Sequence, residues 1–285
     1  DDELSLQKFM AQYPNAPLIA GGTDLMLEVT QRYKCYEHFI DVSRVIELCA
    51  ISESEEAYRI GASVSYTELE DSFATLSEQL VLMLHRLGSR QIRNRGTIGG
   101  NLANGSPIAD MPPILICWAA RIELCSIDGQ RREVAVEEFY TGYRKTVLRN
   151  DEYIVGISIP KKSLSAFNRF YKSSKRIEDD ISSVMGAFLF EGDGSKITSA
   201  KISFGGMAAT PIRLRGIEDL LSGRRVGENL IEDVGEALGG AMFPLTDVRA
   251  SAEYRSSMAR SMLARALYEY SGASKPLVTS LNLHA

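Results

Sequence analysis

The sequence predicts an α+β protein of two domains, and three observations lead to this prediction. The chain has 285 residues, 45% of them hydrophobic and 24% charged, which is ordinary globular composition and more than one typical domain needs. Helical and strand-like segments are mixed up to Pro160-Lys161-Lys162-Ser163, a candidate linker. Beyond it, a run of strands is followed by helices. We therefore expect domains at residues 1–162 and 163–285.

The first elements predict a small βαβ unit. After an N-terminal helix, residues 16–20 are typical of a short buried strand, and the pair Gly21-Gly22 turns the chain toward a helix at residues 25–32. Asp24 stands where it would cap that helix. Residues 39–42 resemble the next strand, so the turn lies between two strands of one unit.

The rest of the first domain predicts further helices and strands. Apolar spacing favours helices at residues 66–73 and 77–87, and another at residues 114–119 after a proline pair. Asp128-Gly129 predicts a hairpin turn. The strand candidates are residues 58–62, 121–127, 132–136 and 153–159.

The second domain predicts an antiparallel sheet followed by three helices. Strands are expected at residues 166–172, 183–191 and 196–204, with a hairpin turn at Gly192-Asp193-Gly194. The last helix shows the clearest amphipathic pattern. Its apolar face consists of Ala259, Met262, Leu263, Ala266, Leu267 and Tyr270.

Composition excludes several classes of function. The formal charge is −5, so bulk electrostatics predict neither a nucleic-acid nor an anionic-membrane partner. The longest apolar run, residues 114–120, is far shorter than the roughly 20 residues of a membrane-spanning helix. Walker, GxGxxG, GxSxG and HExxH motifs are absent from the sequence.

Cysteine and histidine spacing predicts no metal site. Cys35, Cys49, Cys117 and Cys125 match no zinc or iron–sulfur pattern, and we expect reduced packing residues. The three histidines, His38, His85 and His284, are scattered. Because the chain starts DDELSL without Met, we expect it to be a piece of something longer.

Two glycine-rich loops are the strongest candidates for a binding site. The first glycine loop, residues 18–25, leads from a strand into a helix through Gly21-Gly22. The second glycine loop, residues 96–101, places Thr97 and Asn101 beside Gly99-Gly100. Glycine permits close backbone approach, and unpaired N–H groups at a helix start attract phosphate oxygens. Two such loops suit the two phosphates of a dinucleotide.

Each of these features also has a plain structural interpretation. A Gly-Gly pair occurs in many tight turns without a ligand. Arg86, Arg90 and Arg93, at helical spacing, with Arg95 next to the loop, form either a cationic approach to it or a solvated helix face. The Asp110 side chain is suited either to bind a ribose hydroxyl or to cap the segment that follows it.

Taken together and in order, these segments resemble the FAD-binding part of the xanthine dehydrogenase and molybdenum hydroxylase family, most closely its bacterial small subunits. The segments that carry the resemblance are residues 20–25, 96–101, 104–110, 142–146, 171–182 and 244–251, with Tyr254-Arg255. It implies a two-subdomain FAD-binding domain like that of vanillyl-alcohol oxidase. A smaller C-terminal domain follows, like that of the carbon monoxide dehydrogenase flavoprotein.

The resemblance also implies a set of cofactor-binding residues. The first loop is expected to cradle the FAD pyrophosphate, and the second loop is expected to flank the pyrophosphate and the flavin. Asp110 is expected to bind the adenosine portion. Ile154 is expected to pack against the cofactor, and Lys172 to lie near the flavin ring. Leu87 stands where some relatives carry an aromatic contact. The full set is Leu18, Ile19, Ala20, Gly21, Gly22, Thr23, Asp24, Leu25, Leu87, Thr97, Ile98, Gly99, Gly100, Asn101, Asp110, Ile154 and Lys172.

The implied function is electron transfer in a cytoplasmic hetero-oligomer. Electrons from purine hydroxylation at a molybdopterin-binding large subunit pass through [2Fe–2S] clusters to FAD and on to NAD. The iron–sulfur region, which normally precedes this part, belongs to a partner or was removed. Tyr143 and residues 175–180 match the region that admits NAD, although a charged surface loop has the same composition. No catalytic side chain of this chain is expected to touch the purine.

Two alternatives remain open at this point. The chain is alternatively the FAD subunit of another molybdenum hydroxylase, such as carbon monoxide dehydrogenase, aldehyde oxidoreductase or hydroxybenzoyl-CoA reductase. It is otherwise a stand-alone FAD oxidoreductase.

Overall fold

The N-terminal unit forms as the sequence predicts. The computed structural model describes residues 2–272; Asp1 and residues 273–285, which include His284, lie outside the described residues. Helix α1 (Glu3–Gln12) leads to β1 (Leu18–Ile19), α2 (Leu25–Thr30) and β2 (Ile40–Asp41). Strands β1 and β2 pair in parallel, so the first glycine loop lies at the carboxyl end of β1.

The prediction that the Asp24 side chain caps α2 is wrong. Asp24 occupies the N-cap position, but its backbone is already helical, with φ −107° and ψ −47°, and its side chain makes no capping hydrogen bond. A capping side chain reaches back to the helix from an extended backbone. The N–H groups that such a cap would serve are paired with the backbone instead: Met26 donates to the Gly22 carbonyl at 3.1 Å and Leu27 to the Asp24 carbonyl at 3.0 Å.

An antiparallel five-stranded sheet forms the centre of the first domain. Its strand order is β3-β4-β9-β5-β6, and its middle strand β9 is almost entirely buried. Gly129, with φ +81°, forms the predicted turn between β5 and β6. The strands are β3 (Ile51–Glu53), β4 (Ala57–Gly61), β5 (Arg121–Ser126), β6 (Arg131–Ala135) and β9 (Glu152–Pro160), with a separate hairpin of β7 (Tyr140–Gly142) and β8 (Lys145–Thr146).

Short helices surround this sheet. They are α3 (Ile46–Cys49), α4 (Tyr66–Phe73), α5 (Glu78–Leu84), α6 (Arg90–Arg93), α7 (Ile98–Ala103), α8 (Met111–Cys117), α9 (Val136–Phe139) and α10 (Lys161–Ser165). Helix α8 begins three residues before the predicted start, because Pro112 and Pro113 lie in its first turn, where the missing N–H groups have no intrahelical partner to lose.

The expected linker is a packed helical turn. Residues 161–165 form α10, and Ser163 within it is 2% exposed. The Ser163 hydroxyl donates to the Trp118 carbonyl at 2.8 Å, and the Trp118 indole N–H donates to Asn168 at 3.0 Å. These buried hydrogen bonds join the segment to Trp118 of the first domain and Asn168 of the second. The segment is therefore not a flexible connection.

The second domain has the predicted antiparallel sheet and three helices. Its strands follow chain order: β10 (Phe167–Ser173), β11 (Val184–Gly192), β12 (Ile197–Gly205) and the short additional β13 (Ile212–Arg213). The helices are α11 (Arg215–Leu221), α12 (Glu228–Gly240) and α13 (Ala252–Tyr270). The predicted apolar face of α13 is buried throughout, which confirms its amphipathic pattern and, with the sheets, the α+β class.

The C-terminal sheet contributes to two hydrophobic cores. Met185, Ala187 and Leu189 on β11 belong to the core of the first domain, where α8 packs on the sheet. Phe188 and Phe190 on the same strand belong to the core under α13. The shared sheet holds β10 against the first domain. Within residues 2–272, no helix is long and apolar enough to cross a membrane.

Candidate functional site

A cavity of about 590 Å³ lies between the two glycine loops and the C-terminal sheet. This volume falls within the range of about 300–1,000 Å³ that is usual for small-molecule and cofactor sites. The first glycine loop supplies one wall, the second loop another, and Lys172 of β10 with residues 179–182 a third. Both domains therefore build the site.

The first glycine loop presents unpaired backbone donors to the cavity. Within the described part of the chain, the N–H groups from Gly21 to Leu25 donate no hydrogen bond. Gly22 has φ +73°, a left-handed conformation that favours glycine. A Cβ on Gly21 would lie 1.5 Å from the Arg95 carbonyl oxygen, so Gly21 permits direct contact between the loops. A row of free N–H groups is an anion-binding surface.

The second glycine loop is different, because nearly all of its backbone donors are already paired. The Ile98 N–H donates to Val64 at 3.2 Å and the Gly99 N–H to Ala62 at 2.9 Å. The Gly100 N–H donates to the Thr97 hydroxyl at 3.1 Å. This loop therefore offers side chains and open surface to a ligand, not a second row of N–H groups.

Two residues that line the cavity each have one buried polar atom without a hydrogen-bond partner. Both the Tyr66 hydroxyl and the Asn101 Oδ1 are buried and unpaired, and both residues line the cavity. Burial, together with the nearby charge of Asp110, raises the pKa of Tyr66 well above 10, so the hydroxyl stays protonated.

A buried ion pair lies at one end of the cavity. The Lys172 ammonium donates to Asp110 Oδ2 at 2.8 Å, and the two side chains are 2% and 9% exposed. The Ser182 hydroxyl donates to the other carboxylate oxygen of Asp110. The pair is locally neutral, so Lys172 brings no uncompensated positive charge to the site.

Most of the expected site residues line this one cavity. Those that do are Leu18, Ile19, Ala20, Gly21, Gly22, Thr23, Asp24, Leu25, Leu87, Thr97, Gly100, Asn101, Asp110 and Lys172. Ile98 and Gly99 do not line it; they are buried in the first turn of α7. Ile154 is 6% exposed within the central strand β9 and does not line it either. Cofactor contacts of all these residues, those that line the cavity and these three, stay predictions.

The expected arginine row does not form. Helix α5 ends at Leu84, so Arg86 and Arg93 share no helix. The Arg86 guanidinium donates to the Ile177 carbonyl at 2.8 Å and to the Ser174 hydroxyl at 3.1 Å. Arg93 is buried and donates to the Gly88 carbonyl at 3.1 Å. These side chains hold loops in place and none of them lines the cavity.

The loop expected to meet NAD is partly at the cavity. Asp179 and Asp180 line it, whereas Tyr143 is 66% exposed and lies apart from the lining. Sequence reasoning missed Tyr66 and Ser182. Tyr66 looks like an ordinary apolar position of α4, and no local pattern marks Ser182. Among the residues that the structure describes, no cluster of three or more possible metal ligands occurs.

Two family models cover most of the chain. Residues 3–162 match the FAD binding domain in molybdopterin dehydrogenase. Residues 169–270 match the CO dehydrogenase flavoprotein C-terminal domain.

Individual relatives agree with these matches. The chain is 33% identical to a xanthine dehydrogenase of Drosophila pseudoobscura pseudoobscura over 83% of its length, but it spans only 19% of that protein. It is 29% identical to the putative xanthine dehydrogenase FAD-binding subunit of Escherichia coli K12, covering 91% of this chain and 90% of that one. A solved chain of carbon monoxide dehydrogenase from Hydrogenophaga pseudoflava superposes with a TM-score of 0.87, at 26% identity and 94% and 95% coverage.

Proposed function

The chain belongs to the family of FAD-binding domains of molybdopterin dehydrogenases, and we propose that its cavity holds FAD within a xanthine dehydrogenase-type enzyme. The observation that carries the proposal is the row of unpaired N–H groups from Gly21 to Leu25 along the cavity wall. A pyrophosphate is the part of FAD that such a row recognises.

The remaining lining fits the cofactor as well. A Cβ on Gly100 would meet only Thr97 Oγ1, at 3.0 Å, so the absence of a side chain there leaves open space. Leu18, Ile19 and Leu87 supply apolar surface for a ring system.

Residues of both domains hold the cofactor. The first loop binds the pyrophosphate, and the second loop flanks it. The Asp110–Lys172 pair, fixed by Ser182, bounds one end. The family resemblance assigns Asp110 to the adenosine portion of FAD and Lys172 to the flavin ring. Because the two side chains are in contact, we assign both to the same portion of FAD.

When bound, FAD supplies the ability to take electrons singly and to pass on a pair as hydride. The residues of this chain bind and orient it. No His or Cys is among the lining residues. Among the described residues, the cavity thus has no side chain typical of a covalent flavin link, which disfavours a stand-alone oxidase of that kind.

The finer parts of the proposal concern the whole enzyme. We assign purine hydroxylation to a molybdopterin-binding subunit, electron delivery to iron–sulfur clusters of a partner domain or subunit, and NAD as the acceptor, in a cytoplasmic hetero-oligomer. The xanthine dehydrogenase names of the relatives support this assignment. Asp179 and Asp180 line the cavity. Because the Asp180 carboxylate already accepts from the Arg176 and Ile181 N–H groups, we assign Asp179 as the polar group of this pair that meets an incoming nicotinamide dinucleotide.

A second candidate keeps FAD and changes the substrate. The fold agreement with carbon monoxide dehydrogenase extends along nearly the whole chain, so the structure suits the flavin subunit of a related hydroxylase equally well. Substrate choice then belongs to the molybdenum subunit, outside this chain.

The test begins with cofactor uptake. The chain is stripped of flavin, titrated with FAD and followed by visible absorbance, with saturation expected at one FAD per chain. Failure to take up FAD would contradict the proposal. The complex that co-purifies with the chain is then assayed with hypoxanthine and NAD, and separately with carbon monoxide and an artificial acceptor. Activity only in the second assay favours the second candidate.

A further inference from the structure

The two partners of Asp110 lie at neighbouring ends of two paired strands. Lys172 and Ser182 both bond to its carboxylate. Each is followed in the chain by a serine, Ser173 at the end of β10 and Ser183 just before β11. The Ser183 N–H donates to the Ser173 carbonyl at 2.8 Å. A group that holds these two serines therefore also fixes the two side chains that surround the Asp110 carboxylate.

Two consecutive residues in the first turn of α13 hold these serines. The Tyr254 hydroxyl lies 3.0 Å from the Ser173 hydroxyl. The Arg255 guanidinium donates to the Ser183 carbonyl and, at 3.1 Å, to the Gly206 carbonyl. Gly206 has φ +81°, and a Cβ there would lie 2.5 Å from the Ser183 carbonyl oxygen. The close approach of these segments around the guanidinium therefore needs a glycine.

Arg255 reaches the other side of the Asp110 contact through Gly206. The Gly206 N–H donates to the Pro107 carbonyl at 2.8 Å, in the segment that leads to Asp110. Asp247 accepts from the guanidinium at 2.7 Å, and Arg255 is 2% exposed. A buried charge is costly unless it is paired and hydrogen-bonded, so these contacts hold the guanidinium in one place.

We propose that Arg255, assisted by Tyr254, is a positioning residue for FAD binding that holds Ser182 and Lys172 against Asp110. This inference rests on the proposed function, namely that the cavity holds FAD. Neither Arg255 nor Tyr254 lines the cavity, so their effect passes through residues that do. Buried hydrogen bonds behind a binding site keep its side chains in place before the ligand arrives.

The experiment compares Arg255→Lys, Ser182→Ala and the double variant with the parent chain. Lysine keeps the charge but lacks the planar fork that reaches two carbonyls at once. The Kd of each flavin-free chain for FAD is measured by titration, well below the lowest flavin-free Tm found by calorimetry. We expect each single variant to weaken FAD binding about tenfold. The double variant should match the single variants, because both changes release the same contact.

Arg213→Lys is the matched control. Arg213 is another mostly buried arginine of the second domain, and its guanidinium donates to Glu218 and Glu137. None of these three residues lines the cavity. Arg213→Lys should therefore lower the flavin-free Tm and leave the Kd for FAD unchanged.

Tyr254→Phe is a milder second variant for the case that Arg255→Lys does not fold. Tyr254 is 45% exposed, and this change removes only the hydroxyl that meets Ser173. We expect it to weaken FAD binding about threefold, because Lys172 is then held less firmly.

Each other outcome has a defined meaning. A parent-like Kd in Arg255→Lys or in Ser182→Ala overturns this inference and leaves the proposed function standing, and so does a parent-like Kd in Tyr254→Phe. Losses that multiply to about 100-fold in the double variant also overturn it, since Arg255 then acts by a route other than Ser182. An equal loss in Arg213→Lys overturns it as well, because the effect is then general destabilisation. A parent that takes up no FAD overturns the proposed function and this inference with it.

Discussion

The Lys172 ammonium lies 2.8 Å from Asp110 Oδ2 although the two residues are 62 positions apart. Lys172 belongs to β10 of the second domain, and Asp110 precedes α8 of the first. Both side chains are nearly inaccessible to solvent. The pair therefore joins the domains at the place where they form the cavity, and stability and site geometry depend on the same contact.

Breaking this pair is expected to destabilise the flavin-free protein. Lys172→Gln or Asp110→Asn leaves one buried charge without its partner, which costs about 3–5 kcal/mol. The double variant removes both charges, so its loss should be smaller than the sum of the single losses. The free energy of unfolding in urea gives all three values. Strict additivity would contradict the coupling.

An exposed ion pair provides the control for that cycle. Arg224 and Asp233 are 3.1 Å apart, with side chains 46% and 55% exposed. Pairs of this kind contribute about 0–1 kcal/mol. Arg224→Gln should therefore change the free energy of unfolding far less than Lys172→Gln.

Filling the open space at Gly100 should prevent FAD binding while the fold survives. Gly100 lines the cavity and a Cβ there meets only Thr97 Oγ1. We expect Gly100→Trp to raise the Kd for FAD by about 100-fold or more. Gly235→Trp in α12, where a Cβ meets nothing within 4 Å, is the control and should bind FAD like the parent. Parent-like affinity of Gly100→Trp would place FAD elsewhere.

Glu152 should make stability depend on pH. It accepts two hydrogen bonds of 2.7 Å from the Arg132 guanidinium, and these bonds lower its pKa below the usual 4.5 in the folded protein. Stabilisation by a group of lowered pKa is complete above the unfolded value and is lost as the pH falls through the folded value. Glu152→Gln should cost about 2 kcal/mol at pH 7.

That cost should shrink as the pH falls below 4.5, the ordinary pKa of the group. Urea unfolding of the parent and of Glu152→Gln at neutral and acidic pH measures the difference. Glu133→Gln is the comparison, since Glu133 is 55% exposed in its pair with Arg121 and should cost little at either pH. A difference for Glu152→Gln that is the same at all pH values would be inconsistent with this assignment.

Arg86 should control the mobility of the loop before residues 179–182, which line the cavity. Its guanidinium bonds to Ser174 and to the Ile177 carbonyl, and the loop continues to Asp180, which lines the cavity. We expect Arg86→Ala to increase amide hydrogen exchange at residues 175–181 with little change in Tm. Arg90→Ala, at an exposed position nearby, should leave the exchange unchanged. Equal exchange in both variants would show that Arg86 does not restrain the loop.

Local patterns in the sequence predicted the elements whose geometry is local. The apolar face of α13 and the turn at Gly129 follow from residue spacing and from a positive φ, and both are confirmed. The first glycine loop follows from the same kind of pattern, and all of residues 18–25 line the cavity. These features depend on neighbours a few residues away, which a single sequence contains.

Contacts between distant segments could be found only in the tertiary structure. The expected linker at residues 160–163 is part of a packed turn because Ser163 meets Trp118, 45 positions earlier. Tyr66 belongs to the site because α4 packs under the second glycine loop, and Asp110 meets Lys172 because β10 lies against the first domain. Such pairings depend on how whole elements pack, since spacing along the chain carries no information on which buried polar groups will meet.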